Sequence, residues 1–233
     1  MKKIGVFIAL IILASCSKQT KNTQITGLVK DLKKGTLYLE KVKDTSVIVI
    51  DSFIVSSESP FLLETDLEEP EVFSLRLDKN SKDEEKIVFF AEAGITDIKT
   101  TLKSFALDAE IKGSKLQEKY AEYKTYIDKF NEQGLYLIKS NIESLLTKNE
   151  DSVAAVEARN LNYLKRKYLF STNFAVSNSD LEVAPYIAIS ELYDAKITLL
   201  DTINNSLTPK IKASKYGKQL QEFIDTIKKD SIY

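Results

Sequence analysis

The sequence has no histidine and no tryptophan, and only one cysteine, one methionine and four prolines among 233 residues. Without imidazole there is no Ser-His-Asp or Cys-His nucleophilic pair. A single thiol makes neither an intrachain disulfide nor a Cys-x-x-Cys redox centre. Zinc sites built from Cys and His lose every imidazole and all but one thiolate. Six of the seven glycines, Gly27, Gly35, Gly94, Gly113, Gly134 and Gly217, stand alone inside the chain, so no glycine-rich phosphate loop exists. An excess of one charge is missing too, because 33 basic residues nearly cancel 34 acidic ones. A nucleic-acid binder carries a basic footprint, so no nucleic-acid partner is expected. The chemistry left to the chain is that of carboxylate, lysine, tyrosine and serine, with oxygen-ligand metal sites.

The N-terminus is the most informative segment. Met1-Lys2-Lys3 is followed by an apolar run from Ile4 to Leu13, broken only by Gly5, and then by Leu13-Ala14-Ser15-Cys16. A basic start, a short apolar stretch and small residues before a cut make a secretory signal. The run is far shorter than the ~20 residues that span a bilayer core. Leu13-Ala14-Ser15-Cys16 resembles the lipobox of bacterial lipoproteins. The resemblance implies a signal peptide over 1–15, a peptidase recognising Leu13, Ala14 and Ser15, and acylation of Cys16. Several acyl chains together anchor a protein stably on a membrane. Residues 16–23 then form a lipidated tether. Ser17 stands where that family's inner-membrane retention signal has Asp, which implies the outer membrane. The tether has no acidic residue, which points to the periplasmic face of the cell envelope.

Beyond the tether the expected fold class is α+β, an antiparallel β-sandwich or open barrel over 24–113 followed by a helical bundle over 114–233. Short alternating β-rich runs are expected at 24–29, 36–42, 47–55, 61–65, 71–77, 87–91, 95–101 and 109–112. In 71–77, Val72, Ser74 and Arg76 alternate with Phe73, Leu75 and Leu77. After Gly113 the period changes. Leu116, Tyr120, Tyr123, Ile127 and Phe130 are spaced four, three, four and three, which is one stripe of a helix. The stripe is expected to resume after Gly134 at Ile138, Ile142 and Leu145. A second helix, capped by Asp151-Ser152, would face it with Val153, Val156, Leu161, Leu164 and Tyr168, forming an antiparallel hairpin. Asp180 is expected to cap a third helix ending at Tyr193. A fourth is expected over 198–206 and a last over 216–229.

Four polar clusters invite a functional reading, and each has a plainer one. Asp51-Ser52 interrupts an apolar strand, as a bulge whose carboxylate binds nearby amides does. Glu68-Glu69-Pro70-Glu71 and Asp83-Glu84-Glu85 lack the spacing of a calcium loop and are expected as solvated loops, so no metal site is assigned. Lys165-Arg166-Lys167, with Lys229, suits the wet face of a helix. Tyr120 and Tyr123 lie on the apolar stripe and belong in a core, while Tyr126 lies off it and is the better exposed contact.

The order of short motifs carries a second resemblance. Ile25-Thr26-Gly27, Gly35-Thr36-Leu37-Tyr38-Leu39, Ile50-Asp51-Ser52, Pro60-Phe61-Leu62, Phe89-Phe90-Ala91-Glu92-Ala93-Gly94 and Ile111-Lys112-Gly113-Ser114 follow one another. This order resembles the β-rich domain of unknown function that precedes lipid-anchored thiol-disulfide oxidoreductases of Gram-negative bacteria. Asn173-Phe174, Val183-Ala184-Pro185-Tyr186 and Ser214-Lys215-Tyr216-Gly217 are similar to the helices that follow it there. The family has Asp-Gly where Ser59-Pro60 stands. Its thioredoxin-like module, of the alkyl-hydroperoxide-reductase/thiol-specific-antioxidant kind, has no counterpart before Tyr233, and neither has its Cys-x-x-Cys. No catalytic residue and no cofactor carry over. The expected function is therefore a non-catalytic, membrane-anchored docking module, with an envelope protein such as a thioredoxin-like oxidoreductase as partner. A surface glycan- or protein-binding lipoprotein and a carboxylate-based hydrolase stay open as alternatives.

Overall fold

A computed structural model describes residues 21–43, 46–79, 85–147 and 150–230. Eight strands come first: β1 (Thr23–Lys30), β2 (Gly35–Lys43), β3 (Ser46–Val55), β4 (Phe61–Thr65), β5 (Glu71–Asp78), β6 (Glu85–Ala91), β7 (Gly94–Thr101) and β8 (Glu110–Lys112). Six helices follow: α1 (Lys115–Thr147), α2 (Glu150–Ser177), α3 (Val183–Glu191), α4 (Ile197–Ser206), α5 (Pro209–Ala213) and α6 (Lys215–Asp230). The fold class is α+β, with the strands ahead of the helices. Among the described residues no helix is long and apolar enough to cross a membrane.

The strands form two four-stranded sheets, ordered β4-β1-β7-β8 and β3-β2-β5-β6. Side chains alternate across a strand, so every second residue faces the partner sheet. Ile25 and Val29 of β1, Leu37 and Leu39 of β2, and Phe73, Leu75 and Leu77 of β5 share one buried core in this way. One pairing departs from the expected antiparallel pattern, since β1 and β7 run parallel through eight residue pairs. Parallel neighbours need a long crossover. Here the crossover contains the whole second sheet, so the chain returns beside β1 in its original direction.

Gly27 sits where β1 presses closest on β7. A Cβ there would lie 1.8 Å from the Ile98 carbonyl oxygen, on backbone that cannot step aside. Asp51 behaves as its sequence suggested. Leu39 pairs with Asp51 and Glu40 with Val49, which leaves Ile50 as a bulge. The Asp51 carboxylate accepts the Ser52 amide at 2.8 Å and the Glu64 amide of β4 at 2.8 Å, joining the two sheets at their corner.

The helical half opens with α1 and α2 as an antiparallel hairpin, but only the proximal part uses the expected stripe. Ser114 caps α1, its hydroxyl accepting the Gln117 amide at 3.1 Å. Tyr123 and Ile127 are fully buried, and Tyr123 stacks at 13° on Phe170 of α2. Gly134 does not interrupt α1, which runs unbroken for 33 residues. It makes room for α2, because a Cβ there would lie 2.6 Å from the Tyr163 hydroxyl. Beyond it the packed positions are Leu137 and Ser144, both buried, and Val156 on α2. Ile138, Ile142, Leu145 and Leu161 are exposed, contrary to expectation, and Leu164 is 39% exposed. Spacing of three and four from Phe130 leads through 134, 137, 141 and 144; the hydropathic reading stepped onto the neighbouring row because polar residues occupy part of the true one.

Two helix starts also differ. The second helix begins at Glu150, one residue ahead of the expected cap. The third begins at Val183 behind Glu182, with no side-chain cap, so Asp180 caps nothing there. Thr208 does cap α5, accepting the Ile211 amide at 3.4 Å with Pro209 in the first turn. Ala184 and Ala188 of α3, Leu200 and Ile203 of α4, and Leu220 and Ile224 of α6 close a second core.

Gly27→Ala is expected to lower stability by about 3 kcal/mol, because a methyl group must force apart two paired backbones. Urea unfolding of the two chains checks it, with Gly35→Ala as the milder comparison, since its nearest backbone contact is 3.0 Å away.

Candidate functional site

Where the helices meet the second sheet, a joint forms around Phe90. Phe90 points off the sandwich core, to the side a two-sheet protein gives to water, yet it is fully buried. The rings of Tyr120 from α1, Tyr186 from α3 and Tyr216 from α6 surround it at 5.3, 5.1 and 5.9 Å, each edge-to-face. That geometry places ring edges on ring faces and adds to area burial. Hydrogen bonds fix the same contact. The Phe90 amide donates to the Gln117 side-chain carbonyl at 2.8 Å, and the Val72 amide donates to the Tyr216 hydroxyl at 2.9 Å. Both amides belong to strand positions that no neighbouring strand satisfies, so the helices complete the sheet's bonding.

Glu71 is the electrostatic centre of the joint. It is buried, and its carboxylate receives Lys41 of β2 at 2.7 Å and Lys215 of α6 in a close ion pair. Burial alone raises its pKa, but the hydrogen bonds from Lys215 and Lys41 outweigh that and hold the carboxyl below its ordinary value. Its neighbour Glu69 accepts the Lys215 backbone amide.

Beside the joint lies a cleft of about 560 Å³ between the loop after β4, the start of α1, the turn before α3 and the end of α5. Glu68, Glu69, Glu92, Asp180 and Glu182 line it, against Lys115 and Lys210, over apolar groups such as Leu67 and Leu181. Five carboxylates against two ammonium groups favour a cationic ligand with apolar parts. Ser214, also in the wall, is held away from nucleophilic work: its hydroxyl donates to the Ile211 carbonyl at 2.8 Å. A second cleft of about 660 Å³, edged by Lys33, Lys34 and Lys79, opens beside the start of β2.

The residues singled out in the sequence scatter over the molecule. Leu13, Ala14, Ser15 and Cys16 lie outside the described residues, as do Asp83 and Glu84. Glu68 and Glu69 border the cleft, but Glu71 is no solvated loop residue. Its parity with Phe73, Leu75 and Leu77 in β5 was the available signal, because that row faces inward. Glu40, buried and bonded to Arg76 at 2.6 Å and Lys86 at 3.3 Å, was missed altogether. Arg166 and Lys167 reach across the hairpin to Gln133 and Asn131. Tyr120 and Tyr123 are buried, and Tyr126 is 48% exposed, its ring against Phe170. Among the described residues no group of three or more Asp, Glu, Cys or His side chains is placed to hold a metal ion.

Residues 23–120 match a family model described as a domain of unknown function (DUF4369). The match spans all eight strands and the first turns of α1. Neither a curated protein nor a solved structure matches the chain.

Two titrations follow from the joint. The stability that Glu71 contributes is complete above about pH 5 and is lost as pH falls through its lowered folded value. Glu71→Gln is expected to cost about 1–3 kcal/mol at neutral pH and to flatten the acid limb of a stability–pH curve. At the other extreme, burial raises the pKa of Tyr120, Tyr123, Tyr186 and Tyr216. A raised acid stays protonated in the folded chain while the unfolded chain ionises, so this stability is present below about pH 10 and falls beyond it. Tyrosinate absorbance should therefore rise in two stages, with the four joint and hairpin tyrosines ionising only as the near-ultraviolet circular dichroism collapses.

Proposed function

We propose that this chain is a lipid-anchored envelope protein that works by docking and not by turnover, with a thioredoxin-like oxidoreductase as its partner. One observation carries the reading: Cys16 is the only cysteine among 233 residues, and it closes a lipobox-like signal. Thiol-disulfide exchange passes through a mixed disulfide that a second thiol resolves. A lipidated Cys16 leaves the chain without even a first. Residues 23–120 match a domain of unknown function, and the motif order of that segment resembles the β-rich domain that precedes lipid-anchored oxidoreductases, which supports the same reading. The carboxylate-lined cleft supports docking of a cationic segment, as its charge balance favours one.

In cells making the full chain, Cys16 is expected to incorporate radiolabelled palmitate. Cys16→Ala should abolish the label and move the protein from the membrane to the soluble fraction. Protease added to intact cells should leave the protein whole until the outer membrane is opened; degradation on intact cells would favour the surface-binding alternative. Measurable insulin reduction by the purified chain would overturn the docking reading.

A further inference from the structure

The distal half of the α1–α2 hairpin is built inside out. Its inner seam, where the two helices touch, follows Gly134, Leu137, Asn141 and Ser144 on α1 and Val156, Asn160 and Tyr163 on α2. Four of those seven positions are glycine or polar. One residue further along each helix runs an outer row that is aliphatic except at Glu157: Leu135, Ile138, Ile142 and Leu145 on α1, Leu161 and Leu164 on α2. These six side chains are 39–70% exposed.

One residue is about 100° of helix rotation, so each outer row lies a little over a quarter-turn from its seam. The helices are antiparallel, and equal offsets along antiparallel right-handed helices fall on the same side of the pair. The two rows therefore form one face. Phe130 touches Tyr163 at 6.3 Å between ring centres, so Leu161 and Leu164 stand beside the proximal start of the α1 row, which Ile138, Ile142 and Leu145 extend along the hairpin.

We propose that this face packs on the same face of a second copy of the chain, completing a four-helix bundle about a two-fold axis. Three features favour that occupant. The outer rows repeat at three and four residues, the spacing by which helices pack on helices. The six side chains present on the order of 700 Å², above the few hundred of an ordinary surface patch and near the ~800 Å² per partner of a stable interface. The polar positions are mixed in sign, with Glu157 within the α2 row and Glu132 and Glu143 beside Lys139 and Lys165 at the rim. A two-fold copy can set such acids against bases, whereas an anionic lipid surface calls for a basic rim. The proposal is independent of the anchor and of any oxidoreductase partner.

Sedimentation equilibrium of the full chain in mild detergent tests it. Wild type is expected as a dimer, and Ile138→Glu/Ile142→Glu should weaken self-association at least about 100-fold. Leu107→Glu, 92% exposed in the loop after β7 and away from the hairpin, should leave the dimer intact. Near-ultraviolet circular dichroism of the joint tyrosines reports whether each variant is folded. Should the double variant lose that signal, Leu161→Glu on α2 is read in its place. A wild-type chain that stays monomeric at tens of micromolar overturns the proposal, as does a dimer that persists in the variants. Monomers that bind phosphatidylglycerol vesicles through Ile138 and Ile142 would assign the face to lipid, and also overturn it.

Discussion

The burial of Phe90 is the constraint on which the two halves depend. A strand in a sandwich turns alternate residues to water, and Phe90 lies on the turned-out row of β6. Covering it requires three helices at once, α1, α3 and α6, because its ring contacts come from all three. The backbone amides of Phe90 and Val72 impose the same requirement in polar form. An unpaired buried amide costs about 1–3 kcal/mol, so the helices must arrive in register as well as in contact. Glu71 adds a condition on charge, since it needs cations from β2 and α6 together. Apolar, hydrogen-bonded and ionic demands thus converge on one short stretch of β5 and β6, and the rest of the helical half is held by what satisfies them.

How much of this could be read in the sequence depended on whether the signal was local. All eight strands stood out because apolar alternation and turn residues act within a few positions, and Asp51 could be read as a bulge because it broke such a run. The parallel alignment of β1 with β7 could not be read, as it depends on where a crossover of more than sixty residues brings the chain back. In the hairpin, hydropathy pointed to the wrong row beyond Gly134. There Asn141 and Ser144 sit at the seam while isoleucines face outward, and a rule that places apolar residues inside selects the neighbour of the true stripe.

The candidate site was legible in pieces and never as an assembly. Tyr120 lay visibly on a stripe, and Glu71 lay on the inward row of β5, but Tyr186, Tyr216 and Lys215 come from helices nearly a hundred residues or more away. The carboxylates of the cleft come from separate connections: after β4, after β6, and before α3. Each such connection is an ordinary polar loop by composition. Only tertiary packing makes their charges a shared field.

The position of β1 has a mechanical side. It is an inner strand, paired antiparallel with β4 through five residues and parallel with β7 through eight. If the chain is tethered ahead of Thr23, a pull from the membrane is directed along the strand and loads both ladders in shear. Hydrogen bonds loaded in shear share the force and yield together, whereas an edge strand pulled sideways releases them one at a time. The first strand is thus suited to carry tension between an anchor and the body, with the clamp already formed at the point where the load enters.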